Sequence, residues 1–212
     1  MKKTILAACI ALLVSCQQGQ QQDQEGASSA DVNAISCEGI GPVRLSHTRA
    51  DLETVVGPNK LEDSTALVDG STVHITRVFP DEAKEITVYW AETEPPYATI
   101  TKLAVSNSFG PYETAGGLRV GSTLDDLRKQ NNFMPISMTN FYNSIDGFAT
   151  ITDFNGGDIE ASYPCLGGRL DIVKQRGVDV RILDEIQNNE TLQSSHKLFS
   201  VLDVSVVELS VQ

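Results

Sequence analysis

From residue 71 onward apolar and polar positions alternate. STVHITRVF sets Val73, Ile75 and Phe79 on one side of an extended segment, and KEITVYW sets Ile86, Val88 and Trp90 against Thr87 and Tyr89. YATITKLAV places Ile100 between threonines and then carries Leu103 and Val105. A period of two is the pattern of strands with one buried face. Pro80-Asp81-Glu82 and Pro95-Pro96 punctuate the runs, which predicts an antiparallel meander. Ahead of it, Ala50, Leu52, Val55 and Val56 lie at helical spacing until Gly57-Pro58 ends the turn, and residues 58–70 form a polar connection. A second series follows. LDDLRKQNN is a short helix, and DGFATITDF, DIEASYP and RLDIVKQ are strands joined by Asn155-Gly156-Gly157 and Gly167-Gly168, residues that accept positive φ in hairpins. VDVRIL alternates like a strand while ILDEIQ suits a helical turn, so residues 177–193 have two readings. SSHKLF starts a short helix, and DVSVVELSV is a final strand whose apolar phase slips between Val206 and Val207, as a bulge would make it.

Both helices are entered through one repeated stretch. GPVRLSHTRADL (Gly41 to Leu52) and GGLRVGSTLDDL (Gly116 to Leu127) align without a gap at an offset of 75 residues, with Arg44/Arg119, Thr48/Thr123, Asp51/Asp126 and Leu52/Leu127 identical. A threonine three residues before an aspartate is a helix-capping pattern. The expected fold is therefore α+β, built of two tandem repeats, each a short helix followed by an antiparallel β-meander. The first covers residues 37–108; the second covers 109–212 and adds a C-terminal strand.

The N-terminus is of another kind. MKKTILAACIALLVSC has Lys2 and Lys3, then an apolar run from Ile5 to Val14 that is too short to span a bilayer and typical of a secretory signal. It ends in Leu13-Val14-Ser15-Cys16, which resembles the lipobox of bacterial lipoproteins. The resemblance implies that residues 1–15 are removed and Cys16 is acylated, anchoring the chain in a membrane. An ordinary cleaved signal with an incidental Cys16 is the alternative. Several acyl chains hold a protein stably where one does not. Residues 16–36 are rich in Gln, Ser and Ala and read as a flexible tether. Gln17 after the cysteine resembles the sorting pattern for an outer membrane, so the expected address is the cell envelope.

Loss of Lys2 and Lys3 takes the formal charge from −12 to −14. Nucleic-acid binding needs cations to neutralise phosphates, so no nucleic-acid partner is expected. Two body cysteines, Cys37 and Cys165, form an even pair that in an exported chain suggests a disulfide; two buried thiols are the alternative. With three scattered histidines, His47, His74 and His196, they offer no metal-ligand spacing, and no metal or cofactor is expected. Asp153 to Asp158 lacks the glycine and closing glutamate of a calcium loop and reads as a hairpin turn. No nucleophile elbow or phosphate-binding glycine loop occurs, so no catalytic residue is assigned. Tyr89, Trp90 and Tyr97 beside Pro95-Pro96 are a candidate aromatic surface for a partner, against core packing of the one tryptophan.

At GIGPVRLSHT the sequence resembles a motif of exported bacterial proteins of unknown function, carried by Gly39, Ile40, Gly41, Pro42, Arg44, Leu45 and Thr48. The second copy keeps Gly116, Arg119, Val120, Gly121 and Thr123. The helix-then-meander layout is similar to tandem domains of the β-lactamase-inhibitor-protein kind and to small outer-membrane assembly lipoproteins of the SmpA/OmlA kind. The expected function is a non-catalytic, lipid-anchored envelope scaffold that binds a protein partner. An inhibitor of an envelope or secreted hydrolase is a second possibility. A hydrolase with a site assembled from distant carboxylates is a third.

Overall fold

A computed structural model describes residues 32–68 and 70–212. The signal segment 1–15, the lipobox Cys16 and the tether up to residue 31 lie outside the described residues. Three two-residue strands, β1 (Ile35–Ser36), β2 (Gly39–Ile40) and β3 (Val43–Arg44), make a small antiparallel sheet. The fold therefore takes in the end of the expected tether. Ile35 is buried, its N–H donates to the Glu113 carbonyl at 2.8 Å, and Ala34 bridges Glu113 in parallel.

The repeated stretch then delivers its helix in both copies. α1 (Arg49–Val56) is capped by Thr48, whose hydroxyl accepts from the Asp51 N–H while the Asp51 carboxylate accepts from the Thr48 N–H. Next come β4 (Leu61–Val68), β5 (Ser71–Val78), β6 (Ile86–Trp90) and β7 (Ile100–Val105), paired in sequence order. β4 occupies much of what the sequence presents as a polar connection. It is an edge strand with mostly exposed side chains, so it carries no apolar alternation. α2 (Leu124–Gln130) repeats the capping box with Thr123 and Asp126.

Beyond α2 the second half departs from the first. β8 (Ser137–Thr139) and β9 (Ala149–Asp153) are followed by a helix, α3 (Asp158–Ser162), where DIEASYP suggests a strand. Asp153 to Asp158 is thus a turn into α3 and not a hairpin. Asp153 accepts from the Asn155 N–H at 2.6 Å, and Glu160 accepts from the Gly156 N–H at 2.6 Å. β10 (Leu166–Gln175) comes next, then α4 (Val180–Ile186), where Asp179 caps by accepting from the Arg181 N–H and settles the double reading of VDVRIL as a helix. β11 (Thr191–Gln193) and β12 (Leu202–Val211) complete the order. Arg169 pairs with Glu208 and Leu170 with Val206, so Val207 is the extra residue of a bulge at the phase slip.

Among the described residues these strands form one nine-stranded sheet in the order β11-β8-β9-β10-β12-β7-β6-β5-β4, antiparallel at every step. This overturns the expectation of two tandem helix-plus-meander repeats. The class is α+β, but α3, α4 and β11 break up the second series, and β12 is inserted between β10 and β7 so that residues 37–108 and 109–212 share one sheet. A sequence repeat of twelve residues specifies two helix entries; it does not specify how the later strands pair.

One apolar cluster holds the molecule together. Leu52 of α1, Leu127 of α2, Ile159 of α3 and Ile186 of α4 join alternate strand residues such as Val88, Leu103, Leu170 and Leu209. Cys37 and Cys165, 128 residues apart, are disulfide-bonded with Cα atoms 5.4 Å apart, tying the β1–β2 turn to the start of β10. That separation lies within the normal range for a disulfide.

Candidate functional site

The strand positions that do not enter the core line a groove of about 920 Å³ running from β4 to β8. Register builds its floor. Tyr89 lies opposite Lys102, Glu208 opposite Arg169, and Arg169 opposite Thr150. Side chains at such positions stand 4.5–5.5 Å apart and interact across strands. Lys102 Nζ sits 4.1 Å above the Tyr89 ring and 3.2 Å from Glu208 Oε1. Arg169 pairs with Asp146 and lies 4.5 Å from the Phe148 ring centroid. The result is a ladder of alternating charge, Lys102, Glu208, Arg169 and Asp146, with Tyr89 at one end. Burial, and next the Glu208 charge, push the Tyr89 hydroxyl up to about 12, while Arg169 acts the other way. Tyr89 therefore keeps its proton, and its donor capacity, at neutral pH.

Two lips frame the groove. On one side is the β4–β5 hairpin, where Leu67 is 75% exposed. On the other is the segment before β9, contributing Asn143, Ser144 and Asp146, with Ile145 fully exposed. This second lip is tied down from behind. The Asn140 amide, itself buried, donates to the carbonyls of Ile186 (2.8 Å) and Asn189 (2.9 Å), and the Asn143 amide donates to Asn189 at 2.9 Å. The Ser144 hydroxyl, then the Phe148 N–H and the Arg169 charge, hold the Asp146 carboxyl below its ordinary value despite partial burial.

The aromatic candidates separate in this geometry. Tyr89 belongs to the groove floor. Trp90, only 3% exposed, packs in the core and touches the groove with an edge; its indole N–H donates to Thr76 Oγ1 at 2.9 Å. As successive residues of β6 the two point to opposite faces of the sheet. Tyr97 is half-buried, stacked on Trp90 with centroids 5.7 Å apart and bonded through its hydroxyl to His74 Nδ1 at 3.0 Å. The three do not form one exposed aromatic lip. Thr76 in turn donates to Asp63 at 2.6 Å, and Asp63 takes two contacts of 3.0 Å from Arg49. Cys37 and Cys165 are joined, as described, and Cys16 lies outside the described residues.

Lys102, Glu208, Arg169 and Asp146 carry no local signal in the sequence. The first three sit at polar positions of correctly recognised strands, but nothing local marks a charge that pairs across three or four strands. Among the described residues no three His, Cys, Asp or Glu side chains group to hold a metal ion. Among the described residues, against the opposing effect of desolvation, hydrogen bonds hold the Asp51, Asp63, Glu82, Glu92, Asp126, Asp146 and Asp179 carboxyls below their ordinary values. No helix among the described residues is long and apolar enough to cross a membrane.

No protein-family model matches the chain, and no curated protein matches it. Among solved structures, the uncharacterized protein yfeY from Escherichia coli superposes with a TM-score of 0.49 at 13% sequence identity, covering 84% of this chain and 99% of that one.

Proposed function

We propose that this chain is a lipid-anchored envelope protein that binds a protein partner across the open face of its sheet and performs no catalysis. The observation that carries the reading is the groove: a pre-set ladder of charge between two lips that expose Leu67 and Ile145. Protein interfaces combine such polar complementarity with a few apolar anchors that supply most of the energy. The ladder residues already satisfy one another, so a partner meets a fixed pattern and orders little on arrival. The anchor half of the proposal rests on the lipobox alone.

Photo-crosslinking residues placed at 67 and at 145 in the envelope of the living cell test the groove. Adducts to the same partner from both positions, and none from Val173 on the exposed end of β10, are expected. Leu67→Asp combined with Ile145→Asp should weaken capture of that partner about tenfold or more. Equal capture by wild type and double variant refutes the groove. For the anchor, Cys16→Ala should move the chain from the membrane to the soluble fraction.

A further inference from the structure

Val32 lies beside Gly41 and Tyr112, three residues past the exposed Phe109. Val32 is 72% exposed, and its carbonyl lies 3.1 Å from where a Cβ on Gly41 would stand, with the Tyr112 ring 2.5 Å from the same point. Ala34 bridges Glu113 and its neighbours Asn33 and Ile35 bond to the same residue, four residues past Phe109. Phe109 is 89% exposed at the tip of a turn closed by the Gly110 N–H on the Asn107 carbonyl. Its neighbour Ser108 lines a cleft of about 480 Å³ together with Arg119, Lys129, Gln130 and Asp126, whose carboxylate lies 3.9 Å from Lys129 Nζ. The Gln130 amide donates to the Gly116 carbonyl at 2.7 Å, holding the end of α2 against this loop.

Just past Gln130 the chain makes a second apolar tip. Asn132 and Phe133 have φ of 53° and 59°, a left-handed conformation that side-chain-bearing residues rarely adopt. The turn is fixed by the Phe133 N–H on the Arg128 carbonyl at 2.7 Å, and it presents Phe133 at 66% exposure beside Met134 at 43%. Strained backbone holding an aromatic ring out in water points to a use for that ring. Arg119, exposed between the two tips, makes no ion pair among the described residues, in a chain whose formal charge is −12.

We infer that this end of the molecule, with Phe109, Phe133 and Met134 as apolar tips and Arg119 and Lys129 between them, rests on the phospholipid bilayer to which the chain is tethered. The inference deepens the anchored-protein reading and rests on it. Aromatic and aliphatic side chains at the headgroup level with Lys or Arg beside them are the composition of interfacial membrane contacts. The chain from Cys16 to Val32 spans up to about 55 Å if extended, so an anchor by itself leaves the body free to turn. The tips supply the orientation that the tether does not.

The test uses the chain from residue 17 with an N-terminal hexahistidine tag, held on vesicles of phosphatidylethanolamine and phosphatidylglycerol that contain a nickel-chelating lipid. Attachment then does not depend on acylation of Cys16. Tryptophan is placed by Phe109→Trp, Phe133→Trp or, as a control at the end of β4 beside the β4–β5 turn, Leu67→Trp; the one native tryptophan, Trp90, is buried. Emission from positions 109 and 133 should shift to the blue on attachment and be quenched by bilayer-brominated lipid, with no change at 67. If 109 and 133 are quenched no more than 67 while the chain stays on the vesicles, the bilayer contact is overturned. Failure of the anchor shows separately, as an unacylated N-terminal peptide in the mass spectrum of the native protein.

Discussion

Thr48 and Thr123 illustrate how much a single residue specifies here. Each closes the first turn of its helix with a reciprocal pair of hydrogen bonds to the aspartate three residues on, so two of the helix's unpartnered N–H groups are satisfied by one side-chain pair. Thr123→Ala should cost about 1 kcal/mol, read as a lower urea midpoint with an unchanged slope. The pH dependence follows from the same bonds. The Thr123 hydroxyl and backbone N–H hold the Asp126 carboxyl below its ordinary 3.8. The folded state then binds fewer protons than the unfolded chain as pH falls past that value. The stabilisation is complete above about pH 5 and is lost as pH drops through the folded pKa. Urea midpoints taken from pH 6 down to pH 3 should fall more for wild type than for Thr123→Ala. These caps were legible because a capping box lies within four consecutive residues. The Thr76 contact was not, since Trp90 and Asp63 reach it from other strands. Thr76→Val keeps the shape but leaves the Trp90 N–H with no acceptor, and should cost about 1–3 kcal/mol in the same measurement.

Elements were legible where one face is buried and obscure where neither pattern nor burial is one-sided. β6 alternates, with Ile86, Val88 and Trp90 buried against Thr87 and Tyr89, because its second face meets the groove; in β5 the register sets Ile75 beside Tyr89 and turns Thr76 and Val78 to the core; and the phase slip in β12 announced its bulge. α3 misled because Ile159, Ala161 and Tyr163 alternate as strand residues do. The helix start is held by acceptors that alternation does not reveal: Asn131 Oδ1, 28 residues away, accepts from the Ile159 N–H, and Glu160 accepts from the Gly156 N–H just before the helix. β4 was hidden as an edge strand whose exposed side chains follow no apolar rule. The ladder of charge across the groove belongs to this scale too, for its members are adjacent only after β10, β12, β7 and β6 have paired. That pairing has a sensitive point at Gly168, where a Cβ would stand 2.5 Å from the Glu208 carbonyl oxygen. Gly168→Ala forces backbone apart between β10 and β12. It should destabilise by about 1–3 kcal/mol and raise amide exchange in both strands.

At the scale of the whole molecule, a crosslink and a topology act together. The Cys37–Cys165 bond closes 128 residues and joins the small N-terminal sheet to a strand near the middle of the large one. By the chain-entropy argument its removal costs up to about 4–5 kcal/mol, and Cys37→Ala with Cys165→Ala should show this as a reductant-independent loss in unfolding temperature. The even cysteine count suggested the bond; which elements it would join depended on a sheet the sequence repeat did not describe. The position of β12 reaches further. It is made after every other described strand, yet it is the piece that fits between β7 and β10. Until β12 is made, β7 and β10 each keep an open edge; the Cys37–Cys165 bond and the Ile35–Glu113 contact link the two halves, but no earlier strand joins them into one sheet. The nine-stranded sheet closes only when β12 is present, so a chain cut before Leu202 leaves one edge of β7 and one edge of β10 unpaired, and the two halves hold together through the disulfide, the Ile35–Glu113 contact and the core.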